Sequence, residues 1–302
     1  MDFPFAYTLA EFAKKFNLDF HGNGDLPLSG SNEIHRVRQG DIIFCDAAKY
    51  YNKAFQSAAS VVIVKEKIDF PDGKGILISP DPFATFNLIN QHFSPVQVAE
   101  SFSRPEYPNT DIALNVMIGK NVQIGEGTVL HPGVVVYDNT VIGKNVTIHA
   151  NTVLGADAFY YQKRDNGYNQ MHSCGNVVIE DNVHIGALCT VDKGVSADTR
   201  IGKGSKIDNQ VHIGHDTILG EHCLIAGKNA IAGCVKIGNN VKIWGNCSIS
   251  SDVHLADGTE ILAFSGVNKN TVENSRMFGI PATDAREKMR ELAAIKGLTK
   301  RK

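Results

Sequence analysis

Along most of the last two thirds of the chain, an aliphatic residue returns at every sixth position. The series starts at Ile112 and runs through Ile118, Ile124, Leu130, Val136, Ile142, Ile148 and Leu154. It resumes at Ile179, Ile185 and Val191, slips by four residues, and then holds phase from Ile201 through Ile213, Leu219, Ile231 and Ile243 to Ile261. If a third of all residues were aliphatic, that last run of eleven would have a chance of roughly one in a hundred thousand. The fourth place of the hexad is usually Asn, Gly or Asp (Asn115, Asn121, Gly127, Gly133, Asn139, Asn145, Asn151), the types that tolerate positive φ. The fifth is small or β-branched, as at Val122, Thr128, Val134, Thr140, Val146 and Val241. A period of six is neither helical nor heptad. It predicts a mainly β chain of the hexapeptide-repeat β-helix class, with inward aliphatic side chains and a turn closing each face. Three hexads per coil predict roughly seven coils stacked as a triangular prism.

The period is missing from residues 1–100, which read as a small α/β domain. Thr8-Leu9-Ala10-Glu11 has capping-box spacing, followed by Phe12 and Phe16 on one face, so a helix is predicted there. Ile42-Ile43-Phe44, Val61 to Val64 and Ile76 to Ile78 read as strands, Ala47 to Ala58 as a helix, and Asp81-Pro82 as the start of another. Residues 101–111 form a linker, within a proline-bearing stretch from Ser94 to Pro108, and the β-helix occupies 112–273. An aromatic and charged insertion at 155–178 interrupts the hexads and is a candidate substrate-binding loop, or a loop that packs on a neighbouring subunit. A short C-terminal helix starts near Asp284 within residues 274–302, before a solvated Lys300-Arg301-Lys302 tail.

Composition narrows the function classes. The chain of 302 residues carries 30 basic and 32 acidic residues, for a formal net charge of -2, which argues against a nucleic-acid partner. Apolar runs such as Val61-Val62-Ile63-Val64 are far shorter than the ~20 residues that a transmembrane helix needs. No basic and apolar leader is visible at the start, so a cytoplasmic location is expected. Cysteines 45, 174, 189, 223, 234 and 247 show no CxxC pairing and read as reduced thiols. Cys189, Cys223 and Cys247 fall on the small fifth place, where a thiol serves as a buried hydrophobe.

A filled prism leaves only its outer faces, or clefts between copies, for chemistry. His131 and His149 are eighteen residues apart and are predicted to stack on one face. The segment Asp208-Asn209-Gln210-Val211-His212-Ile213-Gly214-His215-Asp216 is richer in polar groups. It is expected to bring two imidazoles, two carboxylates and two amides onto one edge of successive strands. An imidazole there suits proton removal from an attacking amine or hydroxyl at neutral pH. No base–serine or base–cysteine constellation is visible, which favours direct attack by an acceptor. No metal site is expected either: a hexad-prism hydratase of the carbonic-anhydrase kind needs three imidazoles around zinc, and the short His-x4-His spacing of that group is absent.

Together the hexads, Gly155-Ala156-Asp157, the block from Ile207 to His215 and Gly279-Ile280-Pro281 resemble the UDP-3-O-acylglucosamine N-acyltransferase family of the lipid A pathway. Upstream, Gly40-Asp41-Ile42-Ile43-Phe44 and Ala48-Lys49-Tyr50-Tyr51 look like that family's uridine-binding domain. The resemblance implies a left-handed parallel β-helix and a homotrimer with active sites in the clefts between neighbours. It implies a 3-hydroxyacyl donor carried as a thioester on the 4'-phosphopantetheine of acyl carrier protein, with no resident cofactor, and the 2-amine of a UDP-amino sugar as acceptor. His215 falls at the family's general base and Gly233 at the glycine whose N–H receives the oxyanion, while Phe44 and Tyr50 fall at the aromatics that sandwich uracil. Two positions depart from the pattern. Ala47 stands where the family has an Asn. Asp252 stands at a histidine that contacts the nucleotide phosphates, where nearby His254 would have to offset its charge. The departures keep three alternatives open: another amino sugar as acceptor, an acyl-CoA donor, or a non-catalytic paralogue.

Overall fold

A computed structural model describes residues 1–95, 107–165 and 167–299. Most of the expected linker, and the Lys300-Arg301-Lys302 tail, lie outside the described residues. The chain divides into two compact units. The first comprises Met1–Val98, Tyr160–Gly175 and Val195–Ala197, and the second holds the remainder.

In the first unit, β1 (Asp2–Thr8), β2 (Asp19–His21), β3 (Pro27–Ser31), β4 (Asp41–Phe44), β5 (Val61–Val64) and β6 (Gly75–Ile78) form one sheet in the order β1-β3-β4-β5-β6-β2. The pairs from β3 through β6 are parallel, and β1 and β2 close the edges antiparallel. Helix α1 (Leu9–Phe16) starts where the capping box predicts: the Thr8 hydroxyl accepts from the Glu11 N–H, and the Glu11 carboxylate accepts from the Thr8 N–H. The 47–58 segment folds as a 3-10 turn (Ala48–Tyr50) behind an extended Ala47 and a shorter helix α2 (Tyr51–Gln56). Helix α3 spans Pro82–Phe93, with the Asp81 side chain as N-cap. Strand β1 carries no alternating pattern that would mark it; an aromatic cluster holds it, with the Phe3 ring 4.3 Å from Phe93 and 5.4 Å from Phe12.

The second unit is a left-handed parallel β-helix built from the hexads. Its three faces are sheets of ten, eight and seven strands. The first face includes Thr147–Ile148, His184–Ile185, Lys206–Ile207 and Leu224–Ile225. The second includes Thr190–Asp192, His212–Ile213, Ala230–Ile231 and Ser248–Ile249, and the third Asp198–Ile201, Ile218–Leu219, Lys236–Ile237 and His254–Leu255. Each inward aliphatic residue stacks on its equivalent one coil away, as Ile213 pairs with Ile231 and Ile231 with Ile249. All three are buried. Corners are closed by left-handed residues, Asn121, Asn139, Asn145 and Asn151 among them.

The four-residue slip has a physical cause. Val195–Ala197 leave the coil and join the first unit, where the Met1 amino group donates to the Ser196 carbonyl at 2.7 Å and the Glu33 N–H to the Ser196 hydroxyl at 3.0 Å. The insertion leaves the coil in the same way. It forms a hairpin, Tyr161–Arg164 with Gly167–Gln170, that belongs to the first unit. Arg164 bridges Asp46 at 3.2 Å and Asp81 at 2.8 Å, and Gln162 donates to Asp46 at 2.6 Å.

At the fifth hexad place, small hydrogen-bonding groups are interspersed with buried valines such as Val134 and Val241. Thr128, Thr152 and Thr217 donate to carbonyls of the next coil at 2.7 to 2.9 Å. Cys189, Cys223 and Cys247 use their thiols in the same way at 3.1 to 3.2 Å. Burial pushes all three thiols up, that of Cys223 to about 11, so the reactive thiolate is scarce. In native protein at pH 8 these three cysteines are therefore expected to stay unlabelled by iodoacetamide until denaturant is added. Peptide mass spectrometry reads the result, and rapid native labelling of Cys223 would contradict it.

Candidate active site

The corner from the second face to the third carries the best-organised polar group. Its backbone is fixed by the coil: the inward Ile213 and Leu219 bracket the turn, and Asp216 adopts the left-handed conformation at φ 57°. The Asp216 N–H donates to the Thr199 hydroxyl one coil below at 2.9 Å. Asp216 is buried, and its Oδ2 lies 2.9 Å from Nδ1 of His215, whose side chain is only 12% exposed. That contact places the imidazole proton on Nδ1, by assignment from the bonding network. Nε2 keeps its lone pair.

Gly233, one coil above, faces that nitrogen. A Cβ on Gly233 would lie 2.5 Å from Nε2 of His215 and 2.6 Å from Cε1. Only glycine leaves room for the ring. The peptide N–H of Gly233 occupies a revealing place in the hexad. At the same place, the N–H of Lys120, Lys144, Glu221 and Asn239 donates to a side-chain oxygen of the next coil, at 2.7 to 2.9 Å. Gly233 N–H has no such acceptor among the described residues. A corner amide of the kind that meets a side-chain oxygen in other coils thus stands without one beside the imidazole, an arrangement that acyl transfer can use.

Nearby polar groups add a buried acid. Burial pushes the Asp192 carboxyl above the ordinary range; His212 and His215 pull it part of the way back, and Asp157 adds to the rise. Asp192 Oδ2 stands 3.8 Å from Nε2 of His212, whose Nδ1 meets the Thr190 hydroxyl at 2.8 Å. The folded protein therefore holds this proton to higher pH than the unfolded chain does. That contribution to stability is lost as pH rises from the ordinary carboxylate value through the raised one. Asp192→Asn is expected to raise the melting temperature more at pH 8 than at pH 4, and an equal gain at both would refute the assignment.

Asp208, Asn209 and Gln210 do not share an edge with His215. They turn the corner from the first face to the second, whereas His215 and Asp216 turn the next, because the chain crosses a whole face between them. Asp208 and Asn209 therefore line a different groove, of about 580 Å³, together with His149, His184, Lys206 and Leu224. His131 and His149 do stack, with ring centroids 4.5 Å apart at 9°. His184 meets His149 with 2.9 Å between their Nε2 atoms, and burial lowers its pKa with help from neighbouring cations.

Asp252 is exposed at φ 62° in the same corner as His215, two coils on, and its N–H meets the Gly233 carbonyl at 3.4 Å. His254 lies past that corner on the third face, exposed, with its N–H bonded to Asn270 Oδ1. Phe44 and Tyr50 belong to the first unit. Phe44 ends the parallel strand β4, where α/β sheets commonly take ligands, and packs 5.1 Å from Phe86 and 5.7 Å from Phe83. Tyr50 is 53% exposed, with the Lys49 ammonium 4.7 Å from its ring centre. Sequence reasoning missed Asp46, which ties the hairpin to the end of β4 through Arg164 and Gln162. The one usable signal was the charge within the insertion. Among the described residues no helix is long and apolar enough to cross a membrane.

Known proteins resemble this arrangement. The family profile described as UDP-3-O-(3-hydroxymyristoyl) glucosamine N-acyltransferase matches residues 25–92. Profiles for the bacterial transferase hexapeptide match 121–156 and 198–233. A UDP-3-O-acylglucosamine N-acyltransferase of Campylobacter lari is 33% identical, over 90% of this chain and 91% of its own length. That of Helicobacter hepaticus is 31% identical, over 94% and 91%. Among solved structures, a UDP-N-acetylglucosamine acyltransferase from Francisella novicida superposes with a TM-score of 0.51 at 26% identity, covering 61% of this chain and 70% of that one. With likeness at this level running nearly end to end, the chain belongs to the UDP-3-O-acylglucosamine N-acyltransferase family.

Proposed function

We propose that this chain moves a 3-hydroxyacyl group from the phosphopantetheine thioester of acyl carrier protein to the 2-amine of a UDP-3-O-acylglucosamine, as a step of lipid A biosynthesis. Family membership supports the reaction class. The observation that carries the mechanism is His215, oriented by Asp216 and facing Gly233. The amine nitrogen attacks the thioester carbonyl, and Nε2 of His215 removes its proton as the C–N bond forms. The carbonyl oxygen gains negative charge, which the Gly233 N–H receives. Collapse expels the thiolate, and the imidazolium returns the proton to sulfur. No group on the protein is acylated, and no resident cofactor takes part.

The family resemblance supports a homotrimer in the cytoplasm, with each His215 corner facing a neighbouring copy. Phe44 and Tyr50 are assigned to the uracil, and Asp252 and His254 to the sugar-nucleotide side of the site. One observation favours a variant acceptor: Asp252 is exposed and makes no salt bridge among the described residues, and a carboxylate repels a diphosphate. The deciding experiment offers purified protein a ladder of acyl carrier protein and acyl-CoA thioesters, with UDP-amino sugars as acceptors. Mass spectrometry is expected to show a hydroxylamine-stable amide, formed fastest from a 3-hydroxyacyl carrier-protein donor. Acylation of a hydroxyl alone, as an ester, would overturn the proposal.

A further inference from the structure

His215 and Asp216 share their corner with a third metal-ligating group. Cys234 occupies the position of Asp216 one coil above, also left-handed at φ 63°, and its N–H donates to the His215 carbonyl at 2.8 Å. The candidate ligand atoms of His215, Asp216 and Cys234 all lie within 4.8 Å of one another. In the sequence Cys234 stands far from the two, and only the coil pitch unites them.

We infer that these three side chains form a zinc site, and that zinc at this site reversibly stops acyl transfer. Imidazole, carboxylate and thiolate together suit zinc rather than magnesium or calcium. A tetrahedral zinc ion with bonds of ~2.0 to ~2.3 Å needs its ligand atoms about 3.3 to 3.6 Å apart. His215 Nδ1 and Asp216 Oδ2 stand at 2.9 Å, so that pair must open slightly while the thiol closes by up to about an ångström. Three protein ligands leave a fourth position for water, as zinc sites with an open face do. On binding, the Cys234 thiol loses its proton to solvent as the S–Zn bond forms, and hydrated zinc loses water; nothing is oxidised or reduced. The imidazole gives a lone pair to the metal. Whether through Nδ1 or Nε2, the basic nitrogen that faced Gly233 is gone. Metal binding stands on this geometry alone, and the inhibitory half rests on the reading of His215 as the base.

The test is a Co²⁺ titration of the full-length protein, with a parallel assay of amide formation in Zn²⁺. One equivalent of Co²⁺ is expected to give a near-ultraviolet thiolate-to-cobalt absorption band that Zn²⁺ displaces. Cys234→Ser and His215→Ala abolish the band, and Cys174→Ser keeps it. Zn²⁺ lowers the wild-type rate at least tenfold, and a chelator restores it. In Cys234→Ser the Zn²⁺ concentration for half inhibition, relative to that variant's own metal-free rate, rises at least tenfold. A band that persists in Cys234→Ser, or none at millimolar Co²⁺, overturns the site and leaves the acyl-transfer reading intact. A Cys234-dependent band with a rate indifferent to Zn²⁺ overturns the regulation, and with it the role of His215 as base.

Discussion

With alanine at position 215, kcat/KM for amide formation is expected to fall by about 10² to 10⁴, the range that a positioned proton acceptor supplies. That corresponds to about 3 to 5 kcal/mol of transition-state stabilisation. The inward core is left intact, and the space vacated by the imidazole lets water reach the Asp216 carboxylate, which loses one partner. The His215 side chain is not one of the inward aliphatic residues Ile207, Ile213 and Leu219 of its coil, and the coil's ladder runs through its backbone carbonyl to the Cys234 N–H. The melting temperature should therefore stay within a few degrees of wild type. A residual rate within tenfold of wild type would remove His215 from the base role.

A single methyl group at Gly233 is expected to be nearly as damaging. The Cβ of Gly233→Ala would lie 2.5 to 2.8 Å from three ring atoms of His215. The ring cannot stay against Asp216 and also clear the methyl group, so it must rotate Nε2 away from the attacking amine or move the Gly233 N–H off the developing oxyanion. A displacement of about an ångström at such a site costs on the order of 10²-fold in rate. The effect should appear mainly in kcat, because the hydrogen bond to the oxyanion forms only as the transition state is reached. Since both residues act on one proton and one carbonyl, Gly233→Ala combined with His215→Ala should be little slower than His215→Ala alone. Fully additive losses would mean that the two positions act separately.

Much of this corner is legible in the sequence. The sixfold period fixes which side chains face inward, and Asn121, Asn139 and Asn145 close corners at positive φ as their hexad place predicts. The stacking of His131 on His149 follows from a spacing of one coil. What stays hidden depends on contacts that no local pattern encodes. Leu188, Cys234 and Phe264 adopt positive φ although their types disfavour it, because the coil above and below dictates the backbone there. Arg164 and Asp46 are far apart in sequence, and nothing near either residue announces the other. The four-residue slip reads as a loss of register; it is a loop drawn out to hold the amino terminus through Ser196. The block from Asp208 to Asp216 reads as one site because its residues are adjacent, whereas two corners and a face separate its ends.

The proton transfer itself is the claim most open to a single measurement. We would determine kcat/KM for amide formation from about pH 5 to pH 9, the span over which an imidazole titrates, for wild type and for His215→Ala. The wild-type profile should fall on its acid side with a slope approaching two, one proton on Nε2 and one on the attacking amine. The residual activity of His215→Ala should lack the imidazole's share of that limb, leaving only the ionisation of the amine itself. An acid limb that persists unchanged in His215→Ala would place the proton acceptor elsewhere and contradict the mechanism.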